Sequence, residues 1–156
     1  MALLLLVVAA GCKPSRQEQV VEGLQKGIAI AAEGFKANAA ACEGMNRFPR
    51  TYQADTLVAV DAYDWTSGFF AGDLWLAYEL TGDEALAKAA RKYTAQLYEI
   101  KDFTGHHDLG FMIYCSYGRQ WANFQEPEVL QMGLRYQQGL SLGMFFLMFS
   151  PSTILV

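Results

Sequence analysis

Histidine is nearly missing: the 156 residues hold only His106 and His107, side by side. Adjacent histidines rarely point at one ion, so no metal site is expected. Cysteine is scarce as well. Cys12, Cys42 and Cys115 lack metal-ligand spacing and are too few for a disulfide framework. Cys42 and Cys115 could pair outside the cytoplasm, but they read more simply as small buried hydrophobes. Positive charge never clusters beyond Arg91-Lys92, and the net charge is −4. A phosphate backbone demands a basic footprint, so nucleic acid is excluded as a partner. An acidic sugar is not excluded, because one or two local arginines bind a carboxylate even on an acidic protein. No run of alternating β-branched residues is long enough to predict a strand, and no segment recurs at a fixed period.

Long apolar runs are missing too, although 53% of the residues are hydrophobic. Residues 1–12 read Met-Ala-Leu-Leu-Leu-Leu-Val-Val-Ala-Ala-Gly-Cys, too short to span a bilayer as a helix. Small residues leading into Cys12 resemble a bacterial lipoprotein-type signal peptide, with Cys12 as the lipidated residue. The usual basic n-region is absent from it. The expectation is a periplasmic or outer-membrane-anchored lipoprotein that meets the membrane only through its lipid. A buried N-terminal helix is the alternative.

What is present is helical. After a polar tether over 13–18, Val20, Val21, Leu24, Ile28, Ala31, Ala32 and Phe35 mark one apolar helix face. Gly44 and Pro49 close that helix, and 45–63 reads as a loop with extended pieces. A second helix starts near Thr66 or Ser67 and runs to Leu80. It is apolar almost all round, so burial on most sides is expected. Thr81-Gly82-Asp83 is a stop and restart, with Gly82 left-handed and Asp83 capping a third helix. That helix shows Leu86, Ala90, Tyr93, Leu97 and Ile100 on one face. A buried helix paired with an amphipathic one is the unit of a double shell of helices, and the fold class is all-α.

Two places carry chemistry. Trp65 precedes a helix start beside Gly68, where free amides and the helix dipole favour an anion such as a uronate carboxylate. Trp65 reads equally well as a sugar wall or as core; Phe69, Phe70 and Trp75 read as core. Arg47 and Arg50, flanking Phe48-Pro49, are candidate carboxylate binders or solvated side chains. His107 and Asp108 can share a proton on a Gly-flanked turn. Alternatively, Asp108 caps the helix Leu109 to Tyr117. Asp73 reads as a functional carboxylate or as part of a polar seam.

Asp64-Trp65-Thr66-Ser67-Gly68-Phe69-Phe70-Ala71-Gly72, then Leu74 to Asp83, then His107-Asp108-Leu109-Gly110-Phe111 resemble glycoside hydrolase family 88 in order and spacing. These are the unsaturated glucuronyl hydrolases; family 105 is the nearest relative. The likeness covers about residues 20–118. It implies a partial (α/α)6 barrel, built of helical hairpins as an incomplete toroid. It also implies release of 4,5-unsaturated uronic acid from the oligosaccharides, glycosaminoglycan or pectin fragments, that polysaccharide lyases leave. No cofactor is implied. An Asp protonates the ring double bond, water adds at the neighbouring carbon, the hemiketal opens and the aglycone leaves. On this likeness Asp108 matches the first essential Asp, His107 a substrate-contacting neighbour and Trp65 a wall of the subsite. Arg50 is added as a substrate-binding candidate from the residues alone.

The family's proton-donating Asp comes later, yet no Asp follows Asp108 here and no charged residue follows Arg135. The expected division is a signal peptide over 1–12, barrel over 13–118, and an aberrant hydrophobic tail over 119–156. A frameshift near Gly118-Arg119 accounts for it: Gln120-Trp121-Ala122 read one base later gives Asn or Ser, then Gly. An inactive fragment is then expected. The competing readings are a non-catalytic sugar-binding lipoprotein and a structural helical-hairpin protein.

Overall fold

The computed structural model describes residues 14–105 and 107–135. The signal-type segment with Cys12, and the end of the hydrophobic tail, lie outside the described residues. Helix α1 spans Arg16–Ala41. It opens with a reciprocal cap: the Glu18 amide donates to Ser15 Oγ, and the Ser15 amide donates to Glu18 Oε2 at 2.6 Å. The second half of α1 packs on the rest of the chain. Ala32 is buried, Phe35 meets Phe70 edge-on at 6.5 Å, and the Tyr93 hydroxyl donates to the Ala39 carbonyl. The first half does not. Val20, Val21 and Leu24 are 55%, 46% and 63% exposed, so the apolar spacing there has no partner among the described residues.

The segment over 45–63, read as a loop with extended pieces, is largely a hairpin in which those pieces pair. Strand β1 (Phe48–Gln53) pairs antiparallel with β2 (Thr56–Val60). The two-residue turn Ala54-Asp55 has both φ angles positive, at 44° and 61°, which matches the right-handed twist of the strands. That turn usually announces itself with Asn-Gly or Asp-Gly, and here it does not. Tertiary packing holds the hairpin: Phe48 is fully buried and meets Tyr93 edge-on at 5.6 Å. The register slips by one residue at Arg50, a β-bulge.

Helix α2 (Ser67–Thr81) and helix α3 (Glu84–Gln96) form the central hairpin. Gly82 takes φ 69°, and Asp83 Oδ1 accepts from the Ala85 amide at 2.9 Å. Both follow the sequence signals. Leu86, Ala90, Tyr93, Leu97 and Ile100 are all buried, the last two on a 3₁₀ turn that continues α3. Trp75 is fully buried and donates its indole N–H to Thr94 Oγ1 at 2.9 Å. Helix α2 is less enclosed than its composition suggests: Phe69, Leu76 and Leu80 are 37%, 42% and 56% exposed along one side.

Helix α4 (Leu109–Ile113) continues through a π-helical turn, Tyr114–Gly118, into α5 (Arg119–Phe124). A Cβ on Gly68 would collide with the Met112 backbone, and one on Gly72 would lie 2.9 Å from the Cys115 carbonyl oxygen. Chain order therefore runs the same way on both sides of this seam, and α2 and α4 lie parallel with their backbones nearly touching. Residues 119–135 fold onto the central hairpin as α5 and α6 (Pro127–Arg135). Phe124 meets Trp75 at 5.6 Å and stacks on Tyr78, and Arg91 lies over its ring while pairing with Glu126. Antiparallel hairpins with neighbouring parallel helices give the layout of a partial α/α toroid.

Candidate active site

The start of α2 is organised by one carboxylate. Asp64 Oδ1 accepts from the Thr66 amide at 2.9 Å and from its hydroxyl at 2.5 Å. Its other oxygen receives Arg50 Nη1 at 2.9 Å. The bulge in β1 re-aims Arg50 toward this corner. Ser67, fully buried, donates to the Ala62 carbonyl and ties the incoming loop to the first turn. Trp65 is left 43% exposed, with Phe69 edge-on to it at 5.8 Å.

These groups line an open cavity of about 390 Å³ between α1, the hairpin and α2. Its walls include Phe35, Trp65, Phe69 and Phe70, and its polar groups include Arg50 and Asp73. Phe69, read from sequence as core, is a cavity wall instead, because one side of α2 has no covering helix among the described residues. Asp73 remains open to the cavity, yet the protein packed around it desolvates its carboxyl and holds it above its ordinary value. Arg47, the other arginine candidate, is spent on structure: Nε and Nη2 both donate to the Ala59 carbonyl.

The second cluster stands at the start of α4. The Asp108 side chain is 17% exposed, and His107, at 89%, places Nε2 at 3.4 Å from Asp108 Oδ1. Asp108 occupies the N-cap position without a side-chain capping bond. The two clusters are neighbours. Asp108 sits four residues before Met112, which abuts Gly68, and Trp65 sits three residues before Gly68. Tyr63 and Phe103, on the loops entering α2 and α4, meet edge-on at 5.1 Å. Trp65, Arg50, His107 and Asp108 thus gather at the N-terminal ends of two parallel helices. His107 and Asp108 do not line the cavity, which belongs to the Trp65–Arg50 side.

Among the described residues no group of three or more His, Cys, Asp or Glu could hold a metal ion, and no helix is long and apolar enough to cross a membrane. Cys42 is buried and Cys115 half-buried, both as free thiols whose titration burial pushes up. No residue type announces the bulge that directs Arg50, and the all-round apolar pattern of α2 does not orient Asp73.

The described helices form a partial α/α toroid, the layout shared by the solved unsaturated glucuronyl hydrolases on which the chain superimposes. More narrowly, the chain resembles the N-terminal part of the unsaturated glucuronyl hydrolases. It is 43% identical over 77 residues to an unsaturated glucuronyl hydrolase of Formosa agariphila, covering 48% of this chain and 19% of that protein. It superimposes on the crystal structure of an unsaturated glucuronyl hydrolase specific for heparin with TM-score 0.68 and 36% identity, covering 75% of this chain and 32% of the other. The unsaturated glucuronyl hydrolase of Bacillus sp. GL1, responsible for the degradation of glycosaminoglycan, gives TM-score 0.63 and 32% identity over 72% of this chain and 31% of that one. The chain therefore spans under a third of the solved relatives it matches. No protein-family model matches it.

Proposed function

We propose that this chain forms the N-terminal wall of a glycoside hydrolase that removes 4,5-unsaturated uronic acid from lyase-generated oligosaccharides. The observation that carries the reading is the gathering of Trp65 and the His107–Asp108 pair at adjacent helix starts. Trp65 offers a flat apolar face to a pyranose ring. Arg50, fixed in place by Asp64, presents its guanidinium to the uronate carboxylate. Asp108 is one of two carboxylic groups the hydration needs, and His107 contacts the substrate beside it.

In the reaction a carboxylic acid gives its proton to C4 of the double bond, and water attacks C5. The resulting hemiketal opens to a keto acid, and the aglycone departs with a proton, so one water is consumed. The positioning of the ring falls to this part of the enzyme. The proton donor would come from a longer reading of the gene past Gly118, because no Asp follows Asp108 in the present frame. Export as a lipoprotein anchored through Cys12 belongs to the same proposal.

The test expresses the chain with and without continuation in the alternative frame, with fatty-acid labelling to follow Cys12. Turnover is read as loss of the ultraviolet absorbance of the 4,5-double bond in unsaturated chondroitin disaccharide. The continued form is expected to turn over, with Asp108→Asn slowing it by about 10²–10⁴-fold. If neither form binds or consumes unsaturated disaccharides, the reading fails. Binding without turnover in both forms favours a sugar-binding lipoprotein, which the placement of Trp65 and Arg50 in a cavity apart from Asp108 would suit.

A further inference from the structure

The cavity between α1, the hairpin and α2 is polarised. At one end stand the N-terminus of α2 and Arg50, one Nη of which is held by Asp64 while the rest of the guanidinium borders the cavity. At the other, six residues beyond Ser67 and so about 9 Å along the helix, stands Asp73. Its carboxyl makes no hydrogen bond or ion pair among the described residues. Arg119, on the facing helix, is engaged elsewhere: it pairs with Glu79 at 2.8 Å, and Glu79 also accepts from Asn123. Cys115, which feels the Asp73 charge, carries a thiol whose titration burial pushes up. An unpartnered carboxylate on an aromatic-walled cavity has acceptor capacity to spare, and it repels a second anion.

We propose that Asp73 sets the specificity of this cavity. It accepts hydrogen bonds from hydroxyls of an uncharged sugar ring next to the uronate held at Arg50, and it turns away rings bearing sulfate there. The proposal rests on the carbohydrate reading of the cavity and deepens it by naming the substrate class: unsaturated disaccharides without sulfate on the ring next to the uronate. The uronate carboxylate and a sulfate cannot both be matched by one guanidinium, and a sulfate at the far end would face Asp73. A neutral hydroxyl there gains an acceptor, whereas a sulfate meets like charge at close range.

Calorimetric titration of the chain with unsaturated chondroitin disaccharide, unsulfated and 6-sulfated, tests this. The native chain is expected to bind the unsulfated form about tenfold more tightly or better. Asp73→Asn, which keeps shape and loses charge, should bring the two affinities within roughly threefold, chiefly by strengthening the sulfated one. Asp73→Ser is read the same way should the Asn variant fail to fold by circular dichroism. Arg50→Gln should weaken both ligands together and leave their ratio standing. An unchanged ratio in the Asp73 variants, or no discrimination in the native chain, overturns the proposal while leaving the carbohydrate reading intact. If neither disaccharide binds the native chain, both fall.

Discussion

Asp73 also has a consequence for stability. Burial raises its carboxyl in the folded chain above the value it has when unfolded. Between those two values the folded state holds more protons, so stability falls as pH rises through that window and stays lower above it. Asp73→Asn removes the deficit. Its Tm should exceed that of the native chain at neutral pH, and the two should converge once the pH drops below the ordinary carboxylate range. Asp83 has the opposite sign: its bonds to Lys36 and to the Ala85 amide lower it, so its contribution is present at neutral pH and lost in acid. At this scale the sequence was readable wherever the signal was local. Gly82 and Asp83 announce a left-handed stop and a cap within three residues. Asp73 was not readable, because the periodicity of an almost wholly apolar helix does not say which side lacks a neighbour.

Among the elements, the seam between α2 and α4 carries the strongest prediction. Gly68 lies so close to the Met112 backbone that a methyl group cannot enter without moving a helix. Gly68→Ala should lower stability by about 1–3 kcal/mol, read as a lower denaturant midpoint, and should weaken sugar binding as Trp65 and Asp108 are pushed apart. Gly72→Ala should act in the same direction with less force, since its closest neighbours are the carbonyl oxygen and Cβ of Cys115, at 2.9 and 3.0 Å. The helices of the central hairpin were legible from spacing alone. The β-hairpin was not, because Ala54-Asp55 gives no turn signal and Pro49-Arg50 interrupts any alternation. Its evidence lies in Phe48 packing against Tyr93, two residues far apart in sequence. The helix after Asp108 was expected as one regular stretch; the π-helical turn over Tyr114–Gly118 left no trace in residue type.

Across the whole molecule, α1 is one helix with two behaviours. Its second half is fastened by Ala32, Phe35 and the Lys36–Asp83 pair at 2.8 Å, while its first half exposes Val20, Val21 and Leu24. Amides over 18–30 should exchange with solvent faster than those over 32–41 by a factor on the order of ten, read by hydrogen-exchange mass spectrometry. Equal protection would show that this apolar row is covered in solution, by a second copy or by the chain's own remaining residues. The spacing of α1 was legible and its partner was not, since a periodic face tells what must be covered and never by what. The glycine seam has a different reach. It is closed by missing atoms, so mutation can only widen it. Drift elsewhere in the core can loosen these helices but cannot draw them nearer, and the distance between Trp65 and Asp108 keeps a fixed lower gauge through sequence change.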